Sequence, residues 1–201
     1  MQFDILAEAK AILEQESRAI NNIPLTTAYP KAVDIIVSQI HDLNGKIVVS
    51  GMGKAGHVAL DIATKFTSTG THAINLHPAD ALHGDLGILC QNDVLLLLSN
   101  SGETREMLDL VKAARNLCPD VKIIVICGDD KSSLAAIADV LLFTGGAPEV
   151  CPLGFTPTTS ITVMSVIGDI LVVNVMKAIN FTKEQYALRH HGGTLGIKSR
   201  Q

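Results

Sequence analysis

Five large apolar residues, Val94 to Leu98, follow one another without polar alternation. Such a run reads as a strand buried on both faces, as in the middle of a parallel sheet. Further apolar runs at 46–50, 72–76, 122–127 and 140–143 predict four more strands. Between them apolar residues recur at helical spacing: Val58, Ile62, Ala63 and Phe66 after the first strand, Met107, Leu108, Leu110 and Val111 after the central one, and a short piece at 134–138. Strand and helix alternate throughout, the pattern of an α/β doubly wound parallel sheet with right-handed crossovers.

Two further periodic runs precede the first strand. Ile5, Leu6, Ala9, Ile12, Leu13 and Ala19 mark a helix over 3–21, and a second spans 29–43. Asn21-Asn22-Ile23-Pro24 breaks the chain between them, so residues 1–44 read as a helical hairpin ahead of an α/β core with C-terminal helices over 45–201. The hairpin suits packing against its own sheet or another subunit. The run 158–179 is too apolar all round for a surface helix and belongs in the core or an interface, with Asp169 a satisfied polar group.

Composition narrows the picture. The 201 residues are 47% apolar with a net charge of -4, enough for one sizeable globular domain. No basic patch exists, aromatic content is 3% and Trp is absent, which argues against a nucleic-acid partner. The N-terminus does not read as a signal peptide and no run predicts a membrane span, so a cytoplasmic protein is expected. Cys90, Cys118, Cys127 and Cys151 have no CxxC spacing and are expected to be reduced packing residues.

The candidate chemistry sits where strands end. Ser99, Asn100, Ser101, Gly102, Glu103 and Thr104 follow the central strand and open the next helix. Hydroxyls at a helix start form a site for a dianion such as phosphate; plain helix capping by Ser101 or Thr104 is the competing reading. Gly51-Met52-Gly53-Lys54-Ala55-Gly56 makes a similar turn after the first strand. A dinucleotide site would need an acidic residue about 20 positions on, which is lacking. Lys54 in that turn fits a phosphorylated or carbonyl-bearing small substrate. His77, His83 and Asp85 specify no metal geometry, so no metal and no cofactor is expected, and His83 reads as a hydrogen-bonded histidine near a substrate. The glycines of 192–196 belong to a segment that approaches something closely, such as a neighbouring subunit's site.

Gly51-Met52-Gly53-Lys54, His83-Gly84-Asp85-Leu86-Gly87, Ser99-Asn100-Ser101-Gly102-Glu103-Thr104, Cys151-Pro152-Leu153-Gly154 and His190-x-Gly192-Gly193-x-Leu195-Gly196 together resemble the sugar isomerase (SIS) domain, and within it the arabinose 5-phosphate isomerases. The resemblance covers about Lys46 to Gly196. It implies a five-stranded parallel sheet between helices, a homotetramer, and interconversion of D-arabinose 5-phosphate with D-ribulose 5-phosphate through an enediol. It also implies that Gly53, Ser99, Asn100, Ser101, Gly102, Thr104 and His83 bind the sugar phosphate and that Lys54, Glu106, Glu149 and His190 are catalytic. Ala55 stands where related domains often carry a hydroxyl, and His191 replaces the proline usual after the motif histidine. Relatives continue into a pair of CBS modules, which a chain ending at Gln201 is expected to lack.

Moving a proton between neighbouring carbons needs a carboxylate or imidazole base, a shuttle for hydroxyl protons and a positive charge near the developing oxyanion. On this reading Glu149 or Glu106 is the base, Lys54 the electrostatic stabiliser and His190 the group for ring opening or proton shuttling. Isomerisation of another phosphosugar, such as a 3-hexulose 6-phosphate, and a non-catalytic sugar-phosphate-binding regulator are the alternatives.

Overall fold

The computed structural model describes residues 4–192, 196 and 198. Five strands, β1 (Ile47–Gly51), β2 (Ala73–Asn75), β3 (Val94–Ser99), β4 (Lys122–Cys127) and β5 (Val140–Phe143), form one all-parallel sheet in the order β2-β1-β3-β4-β5. Eight α-helices accompany them among the described residues: α1 (Ile5–Asn21), α2 (Ala28–Ile36), α3 (Lys54–Ser68), α4 (Pro78–Ala81), α5 (Arg105–Leu117), α6 (Ser133–Ile137), α7 (Thr159–Ala178) and α8 (Lys183–Ala187).

The missing alternation in β3 has a direct cause, since helices cover both faces. Leu95 and Leu97, with Val48, Ile123 and Val125, pack towards Met107, Leu110 and Val111 of α5. Leu96 and Leu98, with Val49, Ile124 and Ile126, pack towards Ile36 of α2, Phe66 of α3 and Ile167 and Leu171 of α7. The result is three layers, as the sequence predicts. α7 is long and apolar enough to cross a membrane, yet Val163, Met164, Ile167, Leu171 and Val175 bury one side of it in this core. Asp169 on its other side shares Lys65 of α3 with Asp61, each at 2.7 Å.

Two segments differ from their predicted form. The second helix of the hairpin widens into a π turn over Val37–Asp42, where Leu43 N–H donates to the Ser38 carbonyl and Gly45 N–H to that of Gln39. There Ile40 is buried while His41 reaches Thr71 at 3.1 Å. The polar stretch after β2 contains α4, which packs on α5, and a 3-10 turn over Asp85–Ile88. α8 begins with a reciprocal cap between Thr182 and Gln185. All four cysteines are free; Cys127 is a core residue, whereas Cys90 is exposed.

The connection from β1 through α3 leads outward to β2, after which the chain returns to place β3 on the other side of β1. Strand order reverses there, and a crevice opens at the carboxyl ends of β1 and β3. At the opposite end of the same pair, buried Asp93 accepts from Lys46 Nζ at 2.6 Å, Lys46 N–H at 2.9 Å and Cys90 N–H at 2.7 Å. This clamp fixes β1 against β3 and so fixes the crevice's frame.

Candidate active site

The crevice holds a cleft of about 250 Å³ with three walls. Met52, Lys54 and Ala55 come from the β1–α3 turn, Ser99, Asn100, Ser101 and Thr104 from the β3–α5 turn, and Ser160, Ile161 and Met164 from the first turns of α7. Among the described residues neither α3 nor α5 receives a side-chain cap, so both present N–H groups and a positive dipole end there. Thr104, although at the N-cap of α5, turns its hydroxyl to Ser99 at 3.2 Å, and Ser101 accepts from Glu103 N–H ahead of the helix. Capping of α5 by these hydroxyls is therefore set aside, and an anion-binding geometry remains.

The hydroxyl turn is held from behind. Ser99 Oγ accepts Gly102 N–H at 3.1 Å, the Gly102 carbonyl accepts Leu134 N–H at 3.1 Å, and the Asn100 carbonyl accepts Gly128 N–H at 3.0 Å. Gly102 has φ +65°, and a Cβ there would collide with the Ser132 side chain and come within 2.8 Å of Cys127 Sγ. Gly102 thus shapes the turn without lining the cleft. Gly53, the N-cap of α3, also has positive φ but faces open space.

Glu149 is not among the residues that line the cleft, but it sits at the start of the α7 wall. Its Oε2 accepts Thr158 N–H at 2.8 Å, the Thr158 hydroxyl at 3.0 Å and Ser160 N–H at 3.2 Å, so this carboxylate caps the longest helix. Burial pushes the Glu149 carboxyl up, but these bonds and the nearby Ser160 hydroxyl together outweigh burial and hold it below the usual carboxylate range. The Ser160 hydroxyl itself is buried and completes no hydrogen bond of good geometry. Among the described residues no hydrogen bond of good geometry ties Oε1 of Glu149. Glu106 lies half-buried in the first turn of α5, without a hydrogen-bond or ion-pair partner for its side chain among the described residues.

The two histidines lie elsewhere. His83 is exposed in the turn between α4 and the 3-10 segment, and its imidazole has no hydrogen-bond partner among the described residues, unlike the sequence expectation. His77 stands 3.8 Å from Asp80, and no cluster of metal-ligating side chains gathers among the described residues. His190 stacks on Tyr186 with ring centroids 3.7 Å apart and donates from Nδ1 to the Tyr186 carbonyl at 2.9 Å, leaving Nε2 to accept a proton. Next to it Arg189 lies over Phe181, just past the far end of α7. A 20-residue helix is ~30 Å long, so His190 is far from the cleft lined by residues at that helix's start. Gly193, Thr194 and Leu195 of the terminal motif lie outside the described residues.

The sequence reading missed Ser160, Ile161 and Met164, because a buried apolar helix gives no sign of which end meets a cleft. The cluster Thr158-Thr159-Ser160 at its start was the available signal.

Comparison with known proteins agrees with this arrangement. The family model "SIS domain" matches residues 39–174. The arabinose 5-phosphate isomerase KdsD of Salmonella typhi is 40% identical over 196 residues, covering 98% of this chain and 58% of that protein. The chain thus spans little over half the length of that curated relative. A crystal structure of a candidate phosphosugar isomerase involved in capsule formation from Bacteroides fragilis superposes with a TM-score of 0.93 at 57% identity, covering 94% of this chain and 99% of that one. An Escherichia coli protein in complex with arabinose 5-phosphate superposes with a TM-score of 0.86 at 30% identity, covering 94% and 100%. With its five-stranded parallel sheet, its cleft at the β1–β3 reversal and these matches, the chain belongs to the SIS domain family.

Proposed function

We propose that this protein is an aldose–ketose isomerase that interconverts D-arabinose 5-phosphate and D-ribulose 5-phosphate. The observation that carries the reading is one cleft with Lys54 on one wall, an open hydroxyl turn on the second and a third wall capped by the Glu149 carboxylate. The name of the KdsD relative and the sugar phosphate bound in the Escherichia coli neighbour agree with it. The phosphate takes the Ser99, Ser101 and Thr104 turn, where hydroxyls and the N-terminus of α5 favour a dianion.

In such a substrate the phosphate is on C5 and the reacting carbons are C1 and C2, so the base belongs away from the phosphate turn. Glu149, beside the α7 wall, suits that place better than Glu106, two residues beyond Thr104. Glu149 is ionised at neutral pH, anchored through Oε2 and free at Oε1. It removes the proton from C2 of the open-chain aldose, Lys54 stabilises the enediolate oxygen, and the proton returns to C1 while the O2 hydroxyl proton passes to O1. His190 serves ring opening or the hydroxyl proton shuttle from a second copy of the chain, since its own cleft lies at the other end of α7. A homotetramer supplies that arrangement, and the exposed Ile5, Leu6 and Leu13 of α1 offer apolar surface for it. A cytoplasmic location accords with a phosphorylated substrate and a core position for α7.

The test is direct conversion of arabinose 5-phosphate by the purified protein, with Lys54→Ala and Ser101→Ala as controls. Production of ribulose 5-phosphate, lowered in turnover by Lys54→Ala and in affinity by Ser101→Ala, supports the reading. Absence of conversion by the wild type, or conversion unchanged in both variants, overturns it.

A further inference from the structure

Ser160 is 5% exposed, its Oγ completes no hydrogen bond, and it nevertheless lines the cleft. A buried hydroxyl without a partner destabilises the fold by its lost hydration, so it calls for a reason. Packing does not require it, because alanine would fill most of the same space without an unpaired group. The backbone of Ser160 meanwhile donates to Glu149, which places the residue on the third wall beside that carboxylate and separate from the Ser99–Thr104 turn. Met52, Ile161 and Met164, the apolar lining, offer this hydroxyl nothing to bond, and the nearby Glu149 carboxylate is not aligned for a bond of good geometry.

We propose that Ser160 is a ligand-selecting residue whose hydroxyl is completed by a hydroxyl or carbonyl oxygen of the sugar chain, at the end remote from the phosphate. This rests on the sugar-phosphate reading of the cleft given above. In the free protein this hydroxyl lies beside Glu149 without a well-aligned bond, and the correct ligand completes its bonding. Ligands lacking an oxygen there leave it orphaned and bind less well. Ser160 therefore discriminates among phosphorylated compounds that the phosphate turn alone accepts equally.

The experiment compares wild type, Ser160→Ala and the near-isosteric Ser160→Cys by titration calorimetry with arabinose 5-phosphate and with inorganic phosphate, together with thermal unfolding. The expected result is at least tenfold weaker binding of arabinose 5-phosphate in both variants, inorganic phosphate affinity unchanged within twofold, and an unfolding temperature for Ser160→Ala within a few degrees of wild type. Equal loss of both ligands would place the hydroxyl on the phosphate and overturn the proposal. Unchanged sugar-phosphate binding with a lowered unfolding temperature would make Ser160 a structural residue and also overturn it. Wild-type binding without turnover would defeat the isomerase reading while leaving this one standing, so the two fail separately.

Discussion

Glu103 and Ser133 lie 30 positions apart in sequence, yet the Glu103 carboxylate accepts both the Ser133 N–H at 2.6 Å and its hydroxyl at 2.8 Å. This joins the turn after β3 to the first residue of α6. The hydroxyls that face the cleft are thereby held from the neighbouring strand's own connection, and the turn is stiff before any ligand arrives.

Replacing Glu103 by Ala should loosen the turn with little effect on the rest of the fold. Losing a charge-assisted bond pair at an exposed position is worth about 1 kcal/mol, roughly a fivefold loss of phosphate affinity. Competition by inorganic phosphate against a bound sugar phosphate measures it, and unaltered competition would mean that the turn needs no such brace.

Gly102→Ala and Gly53→Ala separate strain from collision. Both positions have positive φ, but only at Gly102 would the added carbon run into Ser132 and Cys127. Gly53→Ala should cost about 1–3 kcal/mol of backbone strain, and Gly102→Ala more than that. In a chain of this size the unfolding temperature drops by roughly 2–4 °C per kcal/mol. Calorimetry that ranked Gly53→Ala as the more damaging change would contradict the packing behind the turn.

Glu149 gives the fold a defined acid response. Its folded-state pKa lies below the ordinary value of 4.5, so it stabilises the protein fully above that pH. The contribution is lost as pH falls from there through the folded value. Glu149→Gln keeps an oxygen to accept the α7 N–H groups but loses the charge, so it should be less stable than wild type at pH 7 and converge on it in acid. On the proposed mechanism the rate of sugar-phosphate conversion should also fall by about 10²–10⁴, the usual contribution of a general base. Denaturation midpoints at neutral and acid pH, read beside the rate, check both halves.

Cys151 carries a thiol pulled down to about 7, chiefly by the Thr156 hydroxyl, with the N–H groups of Thr156, Leu153 and Phe155 adding to it. Cys118 is pushed up by burial. Alkylation by iodoacetamide, followed by peptide mass spectrometry across pH, should label Cys151 first with a midpoint near 7 and Cys118 far later. Thr156→Val should move the Cys151 midpoint upward; a midpoint for the wild type at the ordinary thiol value would remove the hydrogen bonds from the account.

Much of the frame is legible in the chain, for physical reasons that differ by element. β4 and β5 fall on the predicted residues because each apolar run is closed off by neighbours that do not continue it, Lys122 and Gly128 around the first and Asp139 and Thr144 around the second. The π turn after α2 escapes notice, since one extra residue in a helical hydrogen bond barely disturbs the spacing of Ile36 and Ile40. The cap of α8, Thr182 with Gln185, is written in local sequence, but α8 is a short helix with no buried face to announce it. At the site, the hydroxyl turn is readable because strand, glycine and helix start are contiguous. The ties from Glu103 to Ser133 and from Glu149 to Ser160 join segments brought together only by the sheet, and no local pattern encodes them. His190 is a motif residue that the fold sets beyond the far end of α7, and no local pattern reveals that separation from the cleft.

The most direct measurement is deuterium incorporation during turnover. The protein is incubated in heavy water with arabinose 5-phosphate, and C1 of the ribulose 5-phosphate formed is read by NMR. A carboxylate that exchanges its proton with solvent predicts deuterium at C1. Conversion with C1 wholly protonated, or bound ligand with neither conversion nor exchange, would contradict the enediol mechanism assigned to this cleft.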